Sequence, residues 1–119
     1  MDEPQALAAF IALGQEHRLR ALRALVKAGP EGMASGVLAH AIGVSASTIS
    51  FHLKELQQAG LIQSRRAGRS IVYSVAYPVL SGLIEFIMTD CCQGRPEVCA
   101  PALAALSASC TEANELDHA

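Results

Sequence analysis

A mainly α-helical fold with one small β-hairpin is expected from three features of this sequence. Apolar residues recur at helical spacing along most of the chain, two β-branched or alternating runs flank a single short basic stretch, and aromatic side chains are scarce. The 119 residues amount to about one domain, since domains run to roughly 100–200 residues. With 51% of residues in the apolar set, the chain has the side chains for a core, and simple disorder is excluded. Only Phe10, Phe51, Phe86, Tyr73 and Tyr77 are aromatic, so the core must be built of Ala, Leu, Ile and Val, a composition that favours helices.

The elements follow in order. Leu7, Phe10, Ile11 and Gly14 fall at i, i+3, i+4 and i+7, which predicts a first helix over 4–13 with one apolar stripe, Pro4 suiting its first turn. Leu19, Leu22, Leu25 and Val26 repeat the pattern over 17–28, with the arginines mostly between them, until Gly29-Pro30 stops it. Residues 36–42 give a short helix, Gly43-Val44-Ser45 a tight connection, and 46–59 a further helix capped by Ser45 and closed by Gly60. Short helix, glycine-containing turn and second helix make a helix-turn-helix. In that second helix Ile49, Leu53 and Leu56 form the inward stripe, leaving Ser47, Phe51, Lys54 and Gln58 facing out.

Strands over 61–64 and 70–75 are separated by Arg65-Arg66-Ala67-Gly68-Arg69, which predicts a hairpin with a basic tip. A last long helix begins at Tyr77-Pro78, its apolar residues spread wider than one stripe, so that two sides should be buried. In so small a protein the second side is best covered by another copy of the chain, giving a symmetric dimer through the last and first helices. Gly94 and Pro96 should end that helix, and 100–108 suits one more short helix before a polar tail. The expected organisation is a DNA-binding and dimerisation domain over 1–90 and a cysteine-containing segment over 91–119.

The formal net charge of −2 would argue against a nucleic-acid partner, but the charge is unevenly spread. From His17 to Ser70 eight cations face two anions, a local balance of +6, whereas from Asp90 onward five anions face one cation. The acidic N-terminus Met1-Asp2-Glu3-Pro4 lacks the basic region of a signal peptide, and the longest run without a formal charge carries His40, His52 and several hydroxyls, so a cytoplasmic location and no membrane span are expected.

A helix with small polar groups at its start, followed by a hairpin with three arginines, fits a recognition helix in the major groove and a wing on the backbone. Ser47, Thr48, Ser50, Phe51, His52, Lys54, Arg65, Arg66 and Arg69 are therefore the candidate DNA contacts. Local alternatives stand beside several of them. Phe51 could pack under the wing, Ser47 and Thr48 suit a helix's first turn for their own backbone, and His52, flanking the apolar stripe, could be a hydrogen-bonded structural histidine. For His40 the structural histidine is the favoured reading, whereas Arg18, Arg20 and Arg23 suit a solvated helix face.

The stretch Ser-Thr-Ile-Ser-Phe-His-Leu-Lys-Glu-Leu-Gln-Gln-Ala-Gly-Leu-Ile over 47–62, continuing into Arg65-Arg66-Ala67-Gly68-Arg69 and Tyr73, resembles the core of the ArsR/SmtB family of metal-responsive winged-helix repressors. His17-Arg18-Leu19 and 22–25 resemble that family's second helix, so the likeness spans 5–88. It implies a winged helix-turn-helix homodimer that binds an imperfect inverted repeat of double-stranded operator DNA, recognition helices about 34 Å apart, and lets go when an inducer binds.

Many arsenic- and cadmium-responsive members of the family carry Cys-x-Cys at the start of the helix before the recognition helix; here those positions are Ala34 and Gly36. Zinc-sensing members place His and carboxylate ligands on the last helix, which here offers Glu85 and Asp90 but no histidine. What remains is Cys91-Cys92, then Cys99, with Cys110 further on. Adjacent residues on an ideal helix project about 100° apart, but at a fraying helix end, with a Gly94 and Pro96 turn, three thiolates can meet at one point. Three soft sulfurs suit a pyramidal As(III) or Sb(III) centre, and the adjacent pair alone could suffice for a methylated As(III). The pattern is similar to the C-terminal arsenic site of an atypical ArsR branch, which favours Cys91, Cys92 and Cys99 as inducer ligands, with no cofactor otherwise required. Cys110 as a fourth ligand would suit zinc or cadmium, and a redox switch is a further alternative. A thiol-redox enzyme is disfavoured, because adjacent cysteines at a helix C-terminus lack the dipole that stabilises a thiolate.

Overall fold

The computed structural model describes residues 1–89, 97, 100–102, 104 and 105. Cys91, Cys92, Cys99 and Cys110, and the turn expected at Gly94 and Pro96, lie outside the described residues. The chain divides into two compact units, Met1–Phe86 and Ile87–Ala119.

Helix α1, Glu3–Leu13, starts at a capping box: the Asp2 side chain accepts from the Gln5 amide at 2.8 Å and the Gln5 side chain accepts from the Asp2 amide at 2.9 Å. Its buried residues are Ala6, Ala9 and Ala12, while Leu7, Phe10 and Ile11 are exposed, Ile11 to 66%. The larger apolar stripe thus faces away from the protomer, and the alanine stripe lets α1 approach the body closely. Helix α2, Glu16–Ala28, opens with the Gln15 side chain accepting from the Arg18 amide at 2.9 Å, and buries Ala21, Leu22 and Leu25. Leu19 and Val26, which the periodicity places on the same stripe, are exposed.

After a 3-10 turn, Gly29–Glu31, comes an element the sequence reading lacks: the two-residue strand β1, Met33–Ala34. Met33 pairs with Tyr73 and Ala34 with Val72 on strand β3. Gly32, at φ 75, makes this possible, because a Cβ there would lie 2.2 Å from the Tyr73 carbonyl oxygen.

Helices α3, Ser35–Ile42, and α4, Ala46–Gln58, are bent by 106° across their connection, within the range of about 90–120° for a helix-turn-helix. Gly43 closes α3 in the left-handed conformation, φ 78, its amide donating to the carbonyls of Ala39 and His40. Ser45 caps α4 by accepting from the Thr48 amide at 3.2 Å. The inward stripe is as expected, with Ile49, Leu53 and Leu56 essentially solvent-free beside Leu25, Leu38, Leu61 and Val75. Each such side chain contributes about 1.5–3 kcal/mol by leaving water.

Strands β2, Ile62–Ala67, and β3, Ser70–Val75, pair antiparallel in the order β1-β3-β2, so the wing is part of a three-stranded sheet. The expected strand over 61–64 is too short: Arg65 and Arg66 are not tip residues but strand residues opposite Val72 and Ile71. Pairing with β3 extends β2 to Ala67 and confines the turn to Gly68-Arg69. The Ala76 amide donates to the Leu61 carbonyl at 2.9 Å, fastening the base of the hairpin and leading into helix α5, Tyr77–Met88. Leu83 is its one buried residue, while Ile84 and Phe86 are exposed. Within the stretch expected as a short final helix, Ala100, Pro101, Ala102, Ala104 and Ala105 are helical.

Candidate nucleic-acid interface

Burying Ile49, Leu53 and Leu56 turns the opposite side of α4 outward, and Ser47, Phe51, Lys54 and Gln58 are all exposed there. Phe51 is 56% exposed, its only described ring neighbour being His52, edge-on with centroids 5.4 Å apart. A large apolar ring held in water on a helix face is positioned for a partner such as a thymine methyl group.

The hydroxyls divide by what already holds them. The Ser45 hydroxyl donates to the Thr48 hydroxyl at 2.8 Å and lies 3.2 Å from that of Ser47, so the helix start is an internally bonded cluster. The Ser50 hydroxyl donates to the Ala46 carbonyl at 2.9 Å, leaving its oxygen as an acceptor. Ser47 and Ser50 are exposed and Thr48 half-buried; with the Ser45 proton given to Thr48, Ser47 donates to Ser45, so the two exposed hydroxyls, Ser47 and Ser50, both offer their oxygens as acceptors.

His52 requires a correction. It is 6% exposed and lies on the inner side of α4, so it does not belong to the DNA face. The Arg18 Nη1 donates to its Nδ1 at 3.4 Å, and the His17 ring lies 5.4 Å away, centroid to centroid. Since a guanidinium can only donate, Nδ1 must be the acceptor and the ring proton sits on Nε2. Burial, with the positive charge of Arg18 and then His17 adding to it and Glu55 opposing, holds the His52 pKa below its ordinary value and keeps the ring neutral. Arg18 is the residue that sequence reasoning missed. Instead of a solvated cation it is half-buried, its Nε donating to the Ala12 carbonyl at the end of α1. No local signal could have shown this, because its histidine partner lies 34 residues away.

On the wing, Arg65, Arg66 and Arg69 are all exposed. Neighbouring strand residues point to opposite faces, which separates Arg65 from Arg66. Arg65 Nη2 donates to the Glu31 carbonyl at 2.9 Å, so one face of the wing is tied to the 3-10 turn, while among the described residues Arg66 and Arg69 have no hydrogen-bond acceptor. The one ion pair among the described residues is Arg20 with Glu16 at 2.7 Å, so no described carboxylate pairs with the cations of α4 or the wing. No three His, Cys, Asp or Glu side chains converge on a metal-sized site among the described residues.

The geometry is therefore a protruding helix with a free polar and aromatic face beside a basic hairpin. A helix-turn-helix domain model matches residues 13–65, spanning α2 through most of β2. The HTH-type transcriptional regulator YgaV of Escherichia coli is 31% identical over 85 residues, 71% of this chain and 86% of that protein. The chain belongs to the ArsR/SmtB family of winged-helix transcription regulators. Another relative, the nodulation protein NolR of Rhizobium meliloti, is 39% identical over 74 residues, 61% of this chain but only 58% of NolR. Among solved structures, the homodimeric winged helix-turn-helix DNA-binding domain Mb0332 of Mycobacterium bovis, a possible ArsR-family regulator, superposes with a TM-score of 0.60 at 28% identity, over 73% of this chain and 81% of that one. The ArsR/SmtB family is one of regulators rather than enzymes, as the sequence led us to expect. No single helix among the described residues is long and apolar enough to cross a membrane, and the bent pair α3 and α4 that approaches that length is the helix-turn-helix itself.

Proposed function

We propose that this chain is a homodimeric transcriptional repressor that binds operator DNA and is released when As(III) or Sb(III) binds the thiolates of Cys91, Cys92 and Cys99. The observation that carries the DNA-binding half is the exposed face of α4, Phe51 at its centre, set beside the free guanidinium groups of Arg66 and Arg69. The homodimer is supported by the exposed apolar side chains of α1 (Leu7, Phe10, Ile11) and α5 (Ile84, Phe86), which a partner copy would take out of water, and by the homodimeric state of the Mycobacterium bovis neighbour. A dimer built on these faces would set the distance between its two α4 helices, as an inverted repeat requires.

The inducer half rests on the spacing Cys91-Cys92 then Cys99, which puts three soft ligands within a nine-residue stretch after α5. In this reading residues 1–90 bind DNA and dimerise, and 91–119 hold the inducer. Drawing the thiolates together reorganises the end of the last helix, and the inducer acts only through its different affinity for the DNA-competent and incompetent forms.

The test is fluorescence anisotropy of the reduced protein on labelled DNA from its own promoter, titrated separately with arsenite and with zinc. Release by arsenite supports the three-thiolate repressor, and Cys92→Ser should then bind operator as before yet resist arsenite. Release by zinc alone replaces it with a four-cysteine site that includes Cys110. Release only on oxidation, reversed by a dithiol, replaces it with a redox switch. Failure to prefer promoter over random DNA at fixed salt removes the repressor reading altogether.

A further inference from the structure

A second cationic feature lies between α2 and α3 and is used by none of the chemistry above. Arg20, Arg23 and Lys27 stand at i, i+3 and i+7, on one face of α2, over a floor that includes Ala24, Ala41 and Ile42, and together they line an open cleft of about 620 Å³. That volume is in the range of about 300–1,000 Å³ typical of small-molecule sites. Glu16 pairs with Arg20 at 2.7 Å, but no described carboxylate pairs with Arg23 or Lys27. Like charges stacked one turn apart repel, and here they flank apolar carbon without a counter-charge.

We propose that this cleft binds a small organic anion, an apolar body carrying one carboxylate, with the head group held by Arg23 and Lys27 and the body laid on Ala24, Ala41 and Ile42. The floor is what selects this class. A duplex backbone needs no apolar floor, and a rod about 20 Å across does not enter a cleft of this size. A bare inorganic anion would leave the floor in water, and a neutral apolar molecule would leave both cations unpaired. Arg23 offers a planar fork suited to a carboxylate, and Lys27 a point charge beside it. The lining residues include none of the cysteines, and the test reads binding directly, so the proposal stands or falls apart from the repressor reading.

Octanoate is the probe, followed by amide chemical shifts of the full-length reduced protein, with octanol and inorganic sulfate as the two half-ligands. The expected result is saturable shifts confined to residues 23–28 and 40–44, with octanol and sulfate each at least ten-fold weaker. Arg23→Gln with Lys27→Gln should weaken octanoate at least ten-fold, and Ala41→Met, which fills the floor without touching a charge, should do the same. Arg66→Gln with Arg69→Gln should leave the octanoate affinity unchanged, whatever it does to DNA binding. Equal binding of octanol would reduce the cleft to a greasy groove, and equal binding of sulfate would reduce it to a counter-ion patch. Shifts centred elsewhere, or none that saturate, overturn the proposal on the unmodified protein, whatever the variants do to folding.

Discussion

Arg18 bridges the start of α2 to His52 on α4: its Nη1 lies 3.4 Å from His52 Nδ1 while its Nε holds the Ala12 carbonyl at the end of α1. One side chain therefore ties the first two helices to the helix that carries the exposed Phe51. The orientation of the exposed α4 face, proposed above to meet DNA, is set from behind, by a contact on the opposite side of the helix.

Removing this bridge should loosen the recognition helix before it unfolds the protein. Arg18→Ala strands the Ala12 carbonyl and the His52 ring nitrogen, which should cost about 1–3 kcal/mol in urea denaturation. The same variant should raise the His52 pKa in an NMR titration, since one of the positive charges holding it down is gone. An unchanged His52 titration would mean that Arg18 has no part in setting it.

The histidine also makes stability depend on pH in a definite direction. Its folded pKa lies below the ordinary 6.5, so on acidification the unfolded chain takes up the proton first. The stabilisation is thus complete above about 6.5 and is lost as pH falls through the lower, folded value. Urea midpoints measured from pH 7.5 to 5 should decline for the native protein, and His52→Gln should flatten that decline.

The two strand arginines of the wing should behave differently despite being neighbours. Arg66→Ala should weaken specific and random DNA about equally and reduce the salt slope by about 0.9. Arg65→Ala should change that slope less, because its guanidinium is already engaged by the Glu31 carbonyl. Equal slopes for the two variants would show that the Glu31 contact gives way on DNA.

Phe51→Ala tests base recognition separately from folding. An exposed residue of this kind should alter stability by no more than about 0.5 kcal/mol. Operator affinity should fall severalfold while affinity for random DNA hardly changes; a parallel loss on both would assign the ring to the backbone instead.

Ile11→Asp places a charge at the centre of the outward α1 face, where the side chain is 66% exposed in the protomer. Light scattering should show a folded monomer, and operator binding should weaken sharply. A dimer that tolerates the charge would locate the interface elsewhere.

What the sequence made legible was whatever is encoded within one element. The helix-turn-helix declared itself through the Ile49, Leu53 and Leu56 stripe, the Ser45 cap and the Gly43 stop, all of which act over a few residues. What stayed hidden was decided by partners distant in the chain. β1 is two residues long and exists only through Tyr73 and Val72, and β2 extends to Ala67 because Ser70 pairs back onto it. The buried side of α1, made of Ala6, Ala9 and Ala12, gave no signal of its own, because hydrophobicity ranks Leu, Phe and Ile above Ala, whereas helix contact here favours the smaller side chain. His52 lay at the edge of a stripe, where spacing alone cannot distinguish a core histidine from a surface one, and only the reach of Arg18 decides it.

Gly32 and Gly43 share a positive φ but not a fate under mutation. Around Gly43 there is open space, so Asn, which tolerates that conformation, could replace it at modest cost. At Gly32 the Tyr73 carbonyl occupies the place where any other residue would put its first carbon. In a saturation library selected for operator binding, position 43 should return a short alphabet and position 32 a single letter. That letter marks where the wing is welded to the body of the protein.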